Sequence, residues 1–191
     1  MYNESLVKRA IHIYRHPLDN IVARFHLEFN IKKARGDTEY TALFPKNSTG
    51  FSRWCSLDNS HKEVIDSPHV DDTLRSAMKT IPCSNEFFRY VQWHNMANFV
   101  IHDMKLDSMI LHYQEYSENY ERARDRVLDF LGLKRVAAGE TFKDGKVYRS
   151  YYSREQKLAI RAYIKELATA ETWSHLKNYD FETDESPTHI E

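Results

Sequence analysis

Residues 9–17, Arg-Ala-Ile-His-Ile-Tyr-Arg-His-Pro, carry an apolar strand straight into an arginine and the start of a helix. Ala10, Ile11, Ile13 and Tyr14 read as a buried strand, with Arg15 at its carboxyl end. Pro17 suits a first helical turn, where a missing N–H costs nothing. Leu18, Ile21, Val22, Phe25 and Phe29 then recur at helical spacing, which predicts a helix from about Pro17 to Ala34, stopped by Gly36. The carboxyl end of a strand facing a helix N-terminus is where open α/β sheets hold anions. An arginine fixed there can meet a phosphate through two parallel hydrogen bonds. The first expectation is therefore an anion-binding crevice.

Downstream, residues 36–50 read as a polar loop with Pro45 and Gly50, and Phe51, Trp54, Cys55 and Leu57 suggest a short helix. Asn59 to Pro82 is charged and reads as an insertion carrying one helix near Asp72–Met78. Asn85 to Met104 repeats Phe88, Val91, Asn95, Phe99 and Ile101 along one side of a long helix. Ser108–Tyr113 is a compact apolar run and reads as a second buried strand. A helix over Glu118–Leu131 is closed by Gly132, at the position that favours a left-handed residue. Ser153-Arg-Glu-Gln156 is a capping box opening a last helix to about Ala168.

The order strand–helix, helices, strand–helix, helix implies one α/β domain over about residues 1–180, with a charged insertion at about 36–83 and an acidic tail at 181–191. Two strands alone make a poor parallel sheet, since bare edges invite other chains. The chain reads as the back part of such a domain, its front strands lying outside this polypeptide or supplied by something else.

The bulk composition narrows the classes. The 191 residues are 41% hydrophobic, enough for a packed core, and only 5 Gly and 5 Pro argue against a fibrous or low-complexity chain. No apolar run is long enough to span a membrane, and the start, Met-Tyr-Asn-Glu-Ser, lacks the apolar core of a signal peptide. The net charge of −1 hides an asymmetry: residues 1–35 hold seven Lys/Arg against three Asp/Glu, and residues 36–72 hold three against seven. The basic end coincides with the Arg15 crevice, and the acidic stretch reads as a solvated excursion. A basic stripe along the whole domain, as nucleic-acid binding requires, is absent from the sequence. Cys55 and Cys83 allow one pairing, worth about 3 to 4 kcal/mol of unfolded-chain freedom if formed. Asn47-Ser48-Thr49 and Asn3-Glu4-Ser5 are glycosylation-acceptor patterns. Together they lean toward an oxidising secretory lumen, against the alternative of two buried cytosolic thiols.

Two blocks resemble the sulfotransferases, which move a sulfuryl group from 3′-phosphoadenosine-5′-phosphosulfate (PAPS) to a hydroxyl or amine. Ile13-Tyr14-Arg15-His16-Pro17-Leu18-Asp19 is similar to the family's strand–Arg–x–Pro–helix element, which grips the 3′-phosphate. Met109-Ile110-Leu111-His112-Tyr113-Gln114-Glu115-Tyr116, followed by a helix ending Leu128-Asp129-Phe130-Leu131-Gly132-Leu133, is similar to its second strand and following helix. The blocks stand about a hundred residues apart, and the resemblance covers roughly residues 8–35 and 84–180.

The resemblance implies a P-loop-NTPase-like sulfotransferase fold, a parallel sheet flanked by helices and incomplete on its N-terminal side. It implies that Arg15 meets the 3′-phosphate and Tyr113 the adenine edge. Lys143, Lys146 and Arg149 are candidates for a basic loop over the phosphate, beside the plainer reading of a solvated loop. The chemistry would be an in-line displacement needing no metal, with positioning and charge stabilisation doing most of the catalysis. A glycan acceptor and a Golgi lumen are favoured over a small phenol and the cytoplasm. The runner-up is a non-catalytic or degenerate nucleotide-binding domain.

Departures from the family pattern bound this. Ala23 stands where the family has a phosphate-binding serine, a loss of about 1 to 2 kcal/mol of donor affinity. Arg24 follows it and can replace the charge if it faces the crevice. No Gly/Ser/Thr-rich loop for the 5′-phosphosulfate occurs in the sequence, and the family's usual base also lies before the arginine motif. His94, in Trp93-His94-Asn95, could line an acceptor cleft or be packed structure. Ten histidines show no metal-ligand spacing, so no metal is expected. Phe87, Phe88, Tyr90, Trp93 and Phe99 default to core, and Tyr148, Tyr151 and Tyr152 pack the late loop or stack on a ring.

Overall fold

A computed structural model describes residues 7–60, 70–137, 139 and 147–182. Strand β1 (Arg9–Tyr14) feeds helix α1 (Pro17–Ala34), and α2 (Thr38–Leu43), α3 (Ser48–Ser60), α4 (Asp72–Met78) and α5 (Ser84–Asp103) follow. Strand β2 (Asp107–His112) leads into the short α6 (Glu115–Glu118) and α7 (Tyr120–Leu131). The chain then closes with a 3-10 turn at Arg149–Tyr151, α8 (Arg154–Leu167) and α9 (Ala170–Leu176). The protein is thus α/β, mostly helical, with β1 and β2 parallel in the register Arg9↔Asp107 to Tyr14↔His112.

Local chemistry sets the element ends. His16 caps α1 through its side chain, with Pro17 in the first turn, and Gly36 beyond the far end takes a left-handed φ of 75°. Gly132 closes α7 at φ 68°, and Ser153 with Gln156 forms the expected capping box of α8. The polar stretch 36–50 holds a helix that polarity alone does not predict: the Asp37 side chain accepts from the Tyr40 N–H, and the Lys32 ammonium sits over the Tyr40 ring at 5.0 Å. The helix expected over 118–131 is split, because the Asn119 side chain caps a new helix at Tyr120. Thr169 likewise caps α9, which buries Thr172 and Leu176.

One core joins the layers. Tyr14, Leu18, Ile21, Val22 and Phe25 from β1 and α1 pack with Phe87 and Val91 of α5 and with Ile160 and Ile164 of α8. The described residues of the stretch 36–83 contribute Phe44, Phe51, Trp54, Cys55, Met78, Ile81 and Cys83 to that core, so those parts are packed in rather than a solvated excursion. Cys55 and Cys83 form a disulfide that ties α3 to the start of α5. Gly50 lies against the Pro45 backbone, where any Cβ would collide with the carbonyl oxygen. Phe181, the first residue of the expected acidic tail, is buried against the His16 ring at 5.1 Å.

The sheet's edges differ. Tyr113 N–H donates to the Tyr14 carbonyl, so the alternate β2 residues direct their backbone outward. There the Arg126 Nη2 donates to the Ile110 carbonyl at 3.1 Å, and the His112 N–H donates to Glu115 Oε1 at 2.8 Å. Arg126 and Glu115 also pair with each other, which covers this edge with side chains. On the outer side of β1, Ile13 stays exposed, as do Trp93 (60%) and Phe99 (61%) on α5. Those two aromatics are surface residues, whereas Phe87, Phe88 and Tyr90 take core positions as expected.

Candidate functional site

Arg15 follows β1 at the carboxyl end of the parallel strand pair, just before α1 begins. Its carbonyl accepts from the Tyr90 hydroxyl at 2.6 Å, which pins the backbone. Its guanidinium stacks over the Tyr113 ring, 4.5 Å from the centroid. Among the described residues it has no carboxylate partner. An aromatic face thus holds this half-buried guanidinium while its charge is left without a carboxylate among the described residues.

The α1 N-terminus itself is not open to an outside anion. Asp19 lies buried in its first turn and accepts from the Tyr148 N–H at 2.8 Å. A carboxylate there already complements the helix dipole. His16 takes part too: its Nδ1 accepts from the Leu18 N–H at 3.2 Å, and its Nε2 donates to the Asp180 carbonyl at 2.8 Å. Burial pushes His16 down to about 4, against the pull of Asp19, so the ring is neutral and its two roles are fixed. Any positive charge this end of the sheet offers therefore comes from side-chain cations rather than from helix N–H groups.

Arg15, Arg24 and His94, three residues singled out from sequence, line one cavity of 320 Å³ together with Asn20, Glu86 and Trp93. Arg24 faces the crevice. Its Nε forms an ion pair with the buried Glu86 carboxylate at 2.9 Å, and its Nη groups have no partner among the described residues. Glu86 also receives Arg89 Nη1 at 2.7 Å, and the same nitrogen reaches Asp58 at 3.0 Å. Burial raises the Glu86 carboxyl, with Arg24 pulling it back. Burial alone would lower Arg89, and the two carboxylates together raise it. Burial thus weighs more on the enclosed acid than on the half-exposed base.

His94 is 3% exposed and belongs to a chain of polar contacts behind the cavity. Asn98 Oδ1 faces His12 Nδ1 at 2.9 Å, and His12 Nε2 faces His94 Nδ1 at 2.7 Å. Asn98 Nδ2 donates to the Tyr14 hydroxyl at 3.0 Å and to Thr172 at 3.1 Å. The Tyr14 ring stacks on His94 at 4.3 Å. Burial, then the neighbouring His12 and His175, push His94 down to about 3.

The other candidates lie elsewhere. Arg149 is buried, with Nη1 4.0 Å from the Asp180 carboxylate, and is neither solvated nor a lining residue of this cavity. Lys143 and Lys146 lie outside the described residues, as does Asn3. Tyr152 is core, and Tyr151 donates to or accepts from His26 at 3.0 Å. Sequence reading passed over His12, Glu86 and Asn98. For His12 and Asn98 the signal was spacing: His12 and Tyr14 share a strand face, and His94 and Asn98, four apart, share a helix face.

Among the described residues no cluster of three or more His, Cys, Asp or Glu is placed to hold a metal ion. Among them, too, no helix is long and apolar enough to cross a membrane. No family model matches the chain, no curated protein matches it, and no solved structure matches it.

Proposed function

We propose that the Arg15 crevice binds a nucleotide 3′-phosphate, as the donor half of a PAPS-dependent sulfotransferase. The observation that carries this reading is the Arg15 guanidinium, stacked 4.5 Å over Tyr113 at the ends of two parallel strands and lacking a carboxylate partner among the described residues. In it, Arg15 holds the phosphate through its forked N–H groups, and Tyr113 and Arg24 flank the nucleotide. PAPS would supply the sulfuryl group. Arg24 supplies charge where Ala23 leaves no hydroxyl. A P-loop-NTPase-like sheet, with further strands beside β1, belongs to the same proposal.

Lumenal residence, with a glycan acceptor, is part of it. The Cys55–Cys83 disulfide and the exposed Asn47 of an Asn-Ser-Thr triplet support an oxidising, glycosylating compartment. A second reading is nucleotide binding without transfer, favoured by Ala23 standing where the sulfotransferases have a phosphate-binding serine.

Titration calorimetry with adenosine 3′,5′-bisphosphate tests the reading. Arg15→Ala is expected to weaken binding by about 10- to 100-fold, the worth of a charge-assisted pair. Equal affinity in both proteins removes Arg15 from the site, and no binding by wild type removes the nucleotide.

A further inference from the structure

The hydrogen-bond chain behind the cavity assigns the protons on two rings. In the structure Asn98 Nδ2 donates to the Tyr14 hydroxyl and to Thr172, and Asn98 Oδ1 is the atom that faces His12 Nδ1. His12 must then carry its proton on Nδ1, which leaves its Nε2 as an acceptor. The atom facing that acceptor, 2.7 Å away, is His94 Nδ1, so His94 donates there. Its remaining nitrogen, Nε2, is left with a lone pair and has no hydrogen-bond partner among the described residues. The ring itself lines the cavity that holds Arg15 and Arg24.

A lone pair in a cavity that two arginines also line divides the labour. The arginines attract an anion. The imidazole nitrogen repels an anion's oxygens and rewards a donor. Trp93, exposed and edge-on to His94 at 5.0 Å, adds an apolar face of the kind that sugar rings and bases lie against. In the unbound protein, water can serve as the donor, and a ligand hydroxyl that reproduces its hydrogen bond can displace it.

We infer that the cavity selects an anion bearing a hydroxyl close to its phosphate, the phosphate meeting Arg15 and Arg24 and the hydroxyl donating to His94 Nε2. His12 and Asn98 are positioning residues that hold the His94 tautomer. The inference rests on the anion reading of the same cavity but not on the anion being a nucleotide.

Two probe pairs separate those claims: adenosine 3′,5′-bisphosphate with its 2′-deoxy analogue, and glycerol 1-phosphate with propyl phosphate. Wild type is expected to prefer the hydroxyl member of a pair by about 5- to 10-fold, the loss of one buried hydrogen bond. His94→Phe abolishes the preference, and His94→Gln, which keeps an acceptor, restores part of it. Nitrogen NMR of ¹⁵N-histidine protein reads the tautomer directly: His94 Nε2 resonates as an unprotonated nitrogen and shifts when a hydroxyl-bearing probe binds. Asn98→Leu releases the tautomer and lowers the preference. A protonated Nε2 in the ligand-free protein, equal preference in wild type and His94→Phe, or binding of neither pair overturns the inference. Binding of the glycerol pair alone sinks the nucleotide reading and leaves the role of His94 standing.

Discussion

Among single residues, Glu86 sets the cavity's charge. It is enclosed between Arg24 and Arg89, and burial has raised its carboxyl. At neutral pH it cancels one cation that would otherwise face a bound anion. Glu86→Gln keeps an acceptor for both arginines and removes the charge, so anion affinity should rise about 2- to 10-fold at pH 7.5. Calorimetry with adenosine 3′,5′-bisphosphate reads this, and unchanged or weaker binding would contradict the assignment of Glu86 to the anion site. Arg15 was legible from sequence because a strand–Arg–x–Pro pattern fixes its place locally. Glu86 was not, since nothing in Ser84-Asn85-Glu86 tells an enclosed acid from a surface one. Its burial comes from α1 and α3 closing over the start of α5.

At the scale of elements, the disulfide stands out. Cys83 precedes α5 with φ 54°, a left-handed conformation that costs a non-glycine residue, and it makes no side-chain cap. The bond to Cys55 holds it there and closes a loop of 28 residues. Cys55→Ser with Cys83→Ser is expected to lose about 3 to 4 kcal/mol, seen as a lower urea midpoint with a somewhat steeper slope, as the uncrosslinked unfolded chain exposes more surface. A midpoint within error of wild type would show that packing alone fixes α3 on α5. The elements were largely readable, since α1, α4, α5 and α8 fall where apolar spacing and caps put them. The misses, α2 and α9, are short helices begun by the Asp37 and Thr169 caps and held by tertiary contacts of Tyr40 and Leu176. Their sequences carry little periodicity of their own.

For the molecule as a whole, buried histidines govern the response to acid. His16 and His94 lie at about 4 and about 3, below the ordinary 6.5 of an unfolded chain. As pH falls below about 6.5 the unfolded state takes up protons that the folded state refuses. Stability is then lost at up to about 1.4 kcal/mol per pH unit per histidine, until pH passes the folded values. His12 and His112 are lowered too and act in the same direction. Glu86, raised above 4.5, works the opposite way, since the stability it contributes is present below 4.5 and lost as pH rises through its folded value. One carboxyl against two deeply buried imidazoles leaves the histidines in control. Melting temperature should therefore fall steadily from pH 6.5 to 4, and His16→Gln should flatten the slope. A flat profile in wild type would mean these rings take up protons without unfolding.

The sequence by itself determined the two strands, the main helices, the single pairing open to two cysteines and the identity of the arginine at the strand end. Each follows from periodicity, capping or counting within a short window. Only the tertiary structure decided what the arginine faces. Stacking on Tyr113 requires β1 and β2 to pair in parallel across about a hundred residues, and the His94 tautomer requires α5 to lie against β1. Protonation and charge balance depend on distances between chain-distant groups, and those distances exist only once the core has closed.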